Sequence, residues 1–211
     1  MEEKILTTTA PRQLITFVMD NSASCSKEKL KALMGGFRAF ASQSQQQDAL
    51  EWELICFDTF APAVVKSFQS AEILPVRACR MPLLGRAVTT ATQRLTQRVQ
   101  QLQSAGQSLY RPWMFILSGG FTFDDIEETV TLLDKMEHGG ELLYLPFKLQ
   151  PKLYTERMQT LDRVKHMIEI KQGGLDGFFA FVASMLEQRR SLPQDVGIKF
   201  RKSDFEGWAE L

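Results

Sequence analysis

FVMDNSASCSKEKL, residues 17–30, places an acid and two serines at alternate positions, Asp20, Ser22 and Ser24, between an apolar run and the start of an amphipathic helix. The run itself, QLITFVMD over residues 13–20, hardly alternates, which is the pattern of a strand buried on both faces. From Lys27 to about Gln43, Leu30, Leu33, Met34, Phe37 and Phe40 fall on one helical stripe. Gly35 and Gly36 interrupt that stripe at about 1 kcal/mol each, and close packing against a strand is the expected reason. A buried strand that feeds a helix through a polar turn is the repeating unit of a parallel α/β sheet.

The unit recurs downstream. EWELICF (51–57) reads as a strand, with 63–68 folding back on it as a hairpin across DTFAP. Residues 83–103 form a long helix without proline, and PWMFIL (112–117) a further apolar strand. The loop SGGFTFDD follows, where Asp124 or Asp125 can cap a helix running to about His138. ELLYLPF (141–147) is a strand, 154–160 a short helix or turn, and 164–168 a short strand. The helix at 176–190 is apolar nearly all round, through Phe178, Phe179, Phe181, Val182, Met185 and Leu186. The tail from Ser191 is irregular, with 196–200 as its one candidate strand. The fold class is therefore α/β: a Rossmann-like, doubly wound, mostly parallel central sheet with one antiparallel edge strand and helices on both faces. Residues 1–12 form an N-terminal extension, 13–191 the domain, and 192–211 a tail packed on or near it.

Composition narrows the function classes. The chain has 211 residues, 44% of them hydrophobic, enough for a sizeable core. Lys+Arg and Asp+Glu both number 25, so no overall charge favours nucleic acid or an anionic membrane as partner. No apolar run approaches a membrane span, and MEEKILTTTAPRQ lacks the features of a signal peptide. Cys25, Cys56 and Cys79 are too widely spaced for a zinc motif or a disulfide framework. These features imply a cytoplasmic protein with reduced thiols.

In a parallel sheet, ligands sit outside the carboxyl ends of the strands, which is where Asp20 falls. Residues two apart point the same way, so Asp20, Ser22 and Ser24 can converge as hard oxygen donors suited to Mg2+, Ca2+ or Mn2+. The simpler reading is that the serines bond the turn and that Ser24 or Ser26 caps the helix. No G-x-S-x-G, P-loop or G-x-G-x-x-G is present, and His138 and His166 accompany no nucleophile.

The strand, D-x-S-x-S, helix sequence resembles the von Willebrand factor type A (VWA) domain, and the resemblance extends from about Gln13 to Ser191. It is nearest to the bacterial tellurium-resistance (TerY-like) group. MPLLGRAV (81–88) resembles that group's second metal loop, FILSGGFTFDD (115–125) its third, and GFFAFVASML its last helix. The resemblance implies a metal ion-dependent adhesion site built from the first-loop Asp and two Ser, a Thr of the second loop and an Asp of the third. Asp20, Ser22 and Ser24 match, whereas Pro82 stands at the Thr position and Gly119 at the Asp position. A site left with one carboxylate loses much of the charge that offsets ion dehydration, so Mg2+ or another divalent ion is expected to bind weakly or not at all.

Arg80 or Arg86 could lie near Asp20 in place of the metal, although a solvated arginine is the simpler expectation for either. Cys25 and Cys79 flank the same face, most simply as unrelated thiols. The function implied is a non-enzymatic protein-interaction module with no resident cofactor. Its partner-binding face comprises Asp20, Ser22, Ser24, Arg80, Pro82, Ser118 and Gly119. By resemblance, its partners are kinase- or phosphatase-like proteins encoded nearby in a stress-response cluster. A metal-dependent hydrolase, or a metal-competent VWA domain holding Mg2+ through Asp20, Ser22 and Ser24, is the alternative.

Overall fold

The computed structural model describes residues 10–22, 25–44, 47, 49–57, 59, 61–76, 81–150, 155–194 and 196–211. Its strands are β1 (Gln13–Met19), β2 (Leu50–Cys56), β3 (Ala63–Lys66), β4 (Trp113–Ser118), β5 (Leu143–Lys148), β6 (Ile168–Ile170) and β7 (Ala209–Glu210). Its helices are α1 (Lys27–Ser44), α2 (Leu84–Ser104), α3 (Glu127–His138), α4 (Glu156–Val164) and α5 (Leu175–Ser191). The strands form one 7-stranded sheet in the order β3-β2-β1-β4-β5-β6-β7. Pairings from β2 through β6 are parallel, while β3 and β7 lie antiparallel on the two edges. The sequence predicts one antiparallel edge, and the structure has two.

The second edge comes from the tail. Residues 196–200 form no strand; a short 3-10 turn (Lys202–Phe205) leads into β7 instead. Phe205 and Trp208 are buried in the core, and their rings lie 5.0 Å and 5.5 Å from Phe181. Two anchored aromatics fix the chain beside β6, which a local hydrophobic pattern does not reveal. The expected short strand at 164–168 likewise shifts, because α4 continues to Val164 and β6 begins at Ile168.

Every residue of β1 is buried, as its unalternating run requires. The strand's two-residue period sends Ile15, Phe17 and Met19 to one core layer and Leu14 and Val18 to the other. α1 and α5 supply the first layer, and α2, α3 and α4 the second. Gly36 meets α5 rather than a strand. A Cβ there would lie 2.0 Å from the Phe179 ring, so the glycine lets α1 and α5 approach. Gly35 has open space at that position and no such role.

Candidate functional site

The strand order reverses between β1 and β4, and the crevice beyond their carboxyl ends is where an α/β sheet presents its loops. Asp20 follows β1 there, and Ser118 ends β4 with Gly119 directly after it. Asp20 is fully buried, and its carboxylate accepts two backbone bonds. Oδ1 takes the Ser22 N–H at 2.8 Å, and Oδ2 takes the Gly119 N–H at 2.8 Å. Gly119, which lacks the carboxylate of the resembled pattern, thus donates to the one carboxylate that remains. The Ser118 hydroxyl accepts the Gly120 N–H at 3.1 Å, where the chain turns through φ 92°. The Ser118 carbonyl accepts the Leu149 N–H, which ties in the loop after β5.

A second clasp joins the loop after β4 to the start of α2. The Thr122 hydroxyl accepts the Leu84 N–H at 3.0 Å and donates to Asp124 Oδ1 at 2.5 Å, with the Pro82 carbonyl 3.3 Å away. Asp124 Oδ2 accepts the Arg86 N–H at 2.9 Å, so Asp124 caps α2 across the gap between the loops. Asp125 caps α3, its Oδ1 accepting the Glu127 N–H at 3.0 Å. Gly85 makes this contact possible, since a Cβ there would stand 2.8 Å from the Asp125 carbonyl oxygen.

The outward surface differs from its interior. Among the described residues of the predicted partner-binding face, Asp20, Ser22, Pro82, Ser118 and Gly119 are all buried. What faces out beside them is Met81, 41% exposed, and Phe123, 42% exposed. The Phe123 ring packs edge-on to Phe121 at 4.6 Å, and Arg157 donates to the Phe123 carbonyl. Ser24, Arg80 and Cys79 lie outside the described residues. Arg86 makes no ion pair with Asp20; Asp124 takes its backbone N–H instead. Cys25 lies behind Asp20, where burial first and the Asp20 charge second push its thiol pKa up to about 12, an unreactive state. His138 and His166 each pair with an aspartate one turn earlier in sequence, Asp134 and Asp162, away from this face.

No protein-family model and no curated protein matches the chain. Among solved structures, the N-terminal domain of TFIIH p34 superposes with a TM-score of 0.59 at 9% identity, over 82% of this chain and 96% of that one. The manganese-loaded TRAP protein of Plasmodium vivax superposes at 0.53 with 10% identity, over 72% of this chain and 62% of that one. The VWA domain of SpRpn10 overlaps at 0.48 with 13% identity, over 73% of this chain and 82% of that one. The fold is a von Willebrand factor type A fold. At such low identity the likeness concerns architecture alone, and the chemistry of the loops must be argued from their own residues.

On this VWA fold, sequence reading located Asp20, Ser22 and the third loop, but it missed a group of paired, largely covered charges on and beside β2. Glu53 is fully buried; its carboxylate accepts the Thr16 hydroxyl at 3.2 Å and pairs with Arg94 Nε at 2.9 Å. Burial raises the Glu53 pKa, and the Arg94 bond and charge oppose the rise. Glu51 takes Arg98 at 2.7 Å and Arg12 at 3.1 Å. The signal was present: Glu51 and Glu53 share a strand face, and Arg94 and Arg98 stand one turn apart on a helix. Among the described residues, no helix is long and apolar enough to cross a membrane.

Proposed function

We propose that this chain is a non-enzymatic VWA-type interaction module that docks a protein through its loop face without relying on a metal ion. The bonding of Asp20 carries this reading. Both carboxylate oxygens already serve backbone N–H groups, and the carboxylate is sealed from solvent. A divalent ion there would compete with those bonds and would find a proline and a glycine where oxygen donors are needed. Among the described residues, no three His, Cys, Asp or Glu side chains gather at a point. The donor set therefore does not fit the ion that the VWA resemblance implies.

The exposed Met81 and Phe123 supply what a metal-free face needs, an apolar anchor at the loop face. The loop segments' resemblance to the TerY-like group further suggests partners among kinase- or phosphatase-like proteins of a tellurium-resistance-like stress cluster. Calorimetric titration with millimolar Mg2+, Mn2+ and Ca2+ is expected to give little heat and no change in melting temperature. A dissociation constant in the low micromolar range would overturn the metal-free reading. Pro82→Thr with Gly119→Asp is expected to gain metal affinity. Capture from host extract should lose its specific partner with Phe123→Ala or Met81→Ala while melting behaviour is kept.

A further inference from the structure

The paired charges on and beside β2 border a small polar cleft through Arg94 and Arg98. It has a volume of about 150 Å3 and is lined by Ser67, Gln69, Arg94, Gln97, Arg98 and Gln101, with Phe68 between Ser67 and Gln69. Three cations, Arg12, Arg94 and Arg98, pair with two carboxylates, Glu51 and Glu53, at and beside it. Positive charge is therefore in excess locally, although the whole chain is neutral. α2, which forms one wall, carries no Asp or Glu along its length.

The two arginines are not equivalent. Arg98 gives Nε and Nη2 to Glu51 and Nη1 to Gln101. Arg94 gives only Nε, to Glu53, and its two terminal nitrogens meet no acceptor among the described residues. The Glu53 bond holds this guanidinium in place without occupying it. A planar fork with two free nitrogens matches a carboxylate through paired N–H···O bonds. A phosphate dianion calls for more positive charge than this surplus of one, with both cleft arginines already paired.

We propose that this cleft binds the carboxylate of an acidic side chain on a protein partner. The proposal deepens the interaction-module reading and rests on it only for the partner being a protein. It gives the module a second contact, on the α2–β3 flank, distinct from the apolar loop face. Gln97 and Gln101 stand at the cleft as neutral hydrogen-bonding groups that recognise the carboxylate's surroundings without adding charge.

The test titrates nitrogen-15-labelled protein with a capped triglutamate peptide, its triglutamine counterpart and inorganic phosphate, following the Arg94 and Arg98 side-chain Nε–H signals. The glutamate peptide is expected to shift Arg94 saturably, the glutamine peptide not at all, and added salt to weaken the effect. Gln97 is exposed and the Arg94–Glu53 bond does not depend on it, so substitution there spares the fold. Gln97→Glu is expected to weaken peptide binding by about tenfold by supplying a competing carboxylate, and Gln97→Lys to strengthen it. The proposal fails if the peptide shifts Arg94 no more than the exposed Arg201, if Gln97→Glu changes nothing, or if phosphate alone saturates Arg94. Any of these failures with partner capture still lost on Phe123→Ala would remove the cleft and leave the interaction module standing. Loss of both would remove the module reading as well.

Discussion

Phe178→Ala is expected to cost about 3–5 kcal/mol of folding stability, the range for deleting a buried phenyl ring. The ring is fully buried in α5 and sits among aromatics from three strands. Its centroid lies 6.4 Å from Phe17 of β1, 5.9 Å from Phe115 of β4 and 5.1 Å from Phe147 of β5. It also meets Trp208 of the tail at 6.4 Å. No neighbour can move far into the vacated space without leaving another of these contacts, so the site cannot collapse and most of the cavity term survives. Against a total of about 5–15 kcal/mol for a domain of this kind, that loss takes the chain close to unfolding. Urea denaturation should show a large fall in midpoint at constant slope, and Phe178→Leu should recover most of it. A loss below about 1 kcal/mol would mean that α5 is not the keystone of that layer.

The residue at the centre of that layer was only partly legible in the sequence. The helix is apolar nearly all round, so periodicity could not rank Phe178 over Phe179 or Phe181. The structure places Phe178 under the sheet, leaves Phe179 half-buried against Gly36, and turns Phe181 toward Phe205 and Trp208. The parallel sheet, the helices and the position of Asp20 were legible because continuous apolar runs, helical stripes and a polar turn are local patterns. β7 was not, because two residues carry no period and only the anchoring of Trp208 brings them to β6. Glu53 illustrates the same limit. In EWELICF it reads as a strand residue of unspecified face, and its burial depends on Arg94, a partner 41 positions away. Either Asp124 or Asp125 was expected to cap the helix that follows them; Asp125 does, while Asp124 caps α2, since a carboxylate serves whichever unsatisfied N–H groups the fold brings within reach.

Asp20 separates a structural acid from a metal ligand, and its substitution is the second large effect. Asp20→Ala removes the acceptor for two N–H groups at once, those of Ser22 and Gly119. Each bond is made to a charged acceptor in a site without solvent, and each orphaned N–H should cost about 1–3 kcal/mol. Asp20→Asn keeps one acceptor oxygen and turns an amide NH2 toward the other donor, so it should lose roughly one such increment. The order of stability is therefore parent, then asparagine, then alanine, and amide exchange at Gly119 should quicken in the same order as the loops after β1 and β4 separate. A metal ligand predicts a different pattern. Its loss would matter in Mg2+ or Mn2+ and vanish in chelator, and asparagine would be as harmful to metal binding as alanine. The bonding seen here predicts the same losses with divalent ions and with chelator, because the groups that Asp20 satisfies belong to the chain itself. If the three proteins become equally stable once divalent ions are removed, Asp20 is holding an ion and not its neighbouring loops.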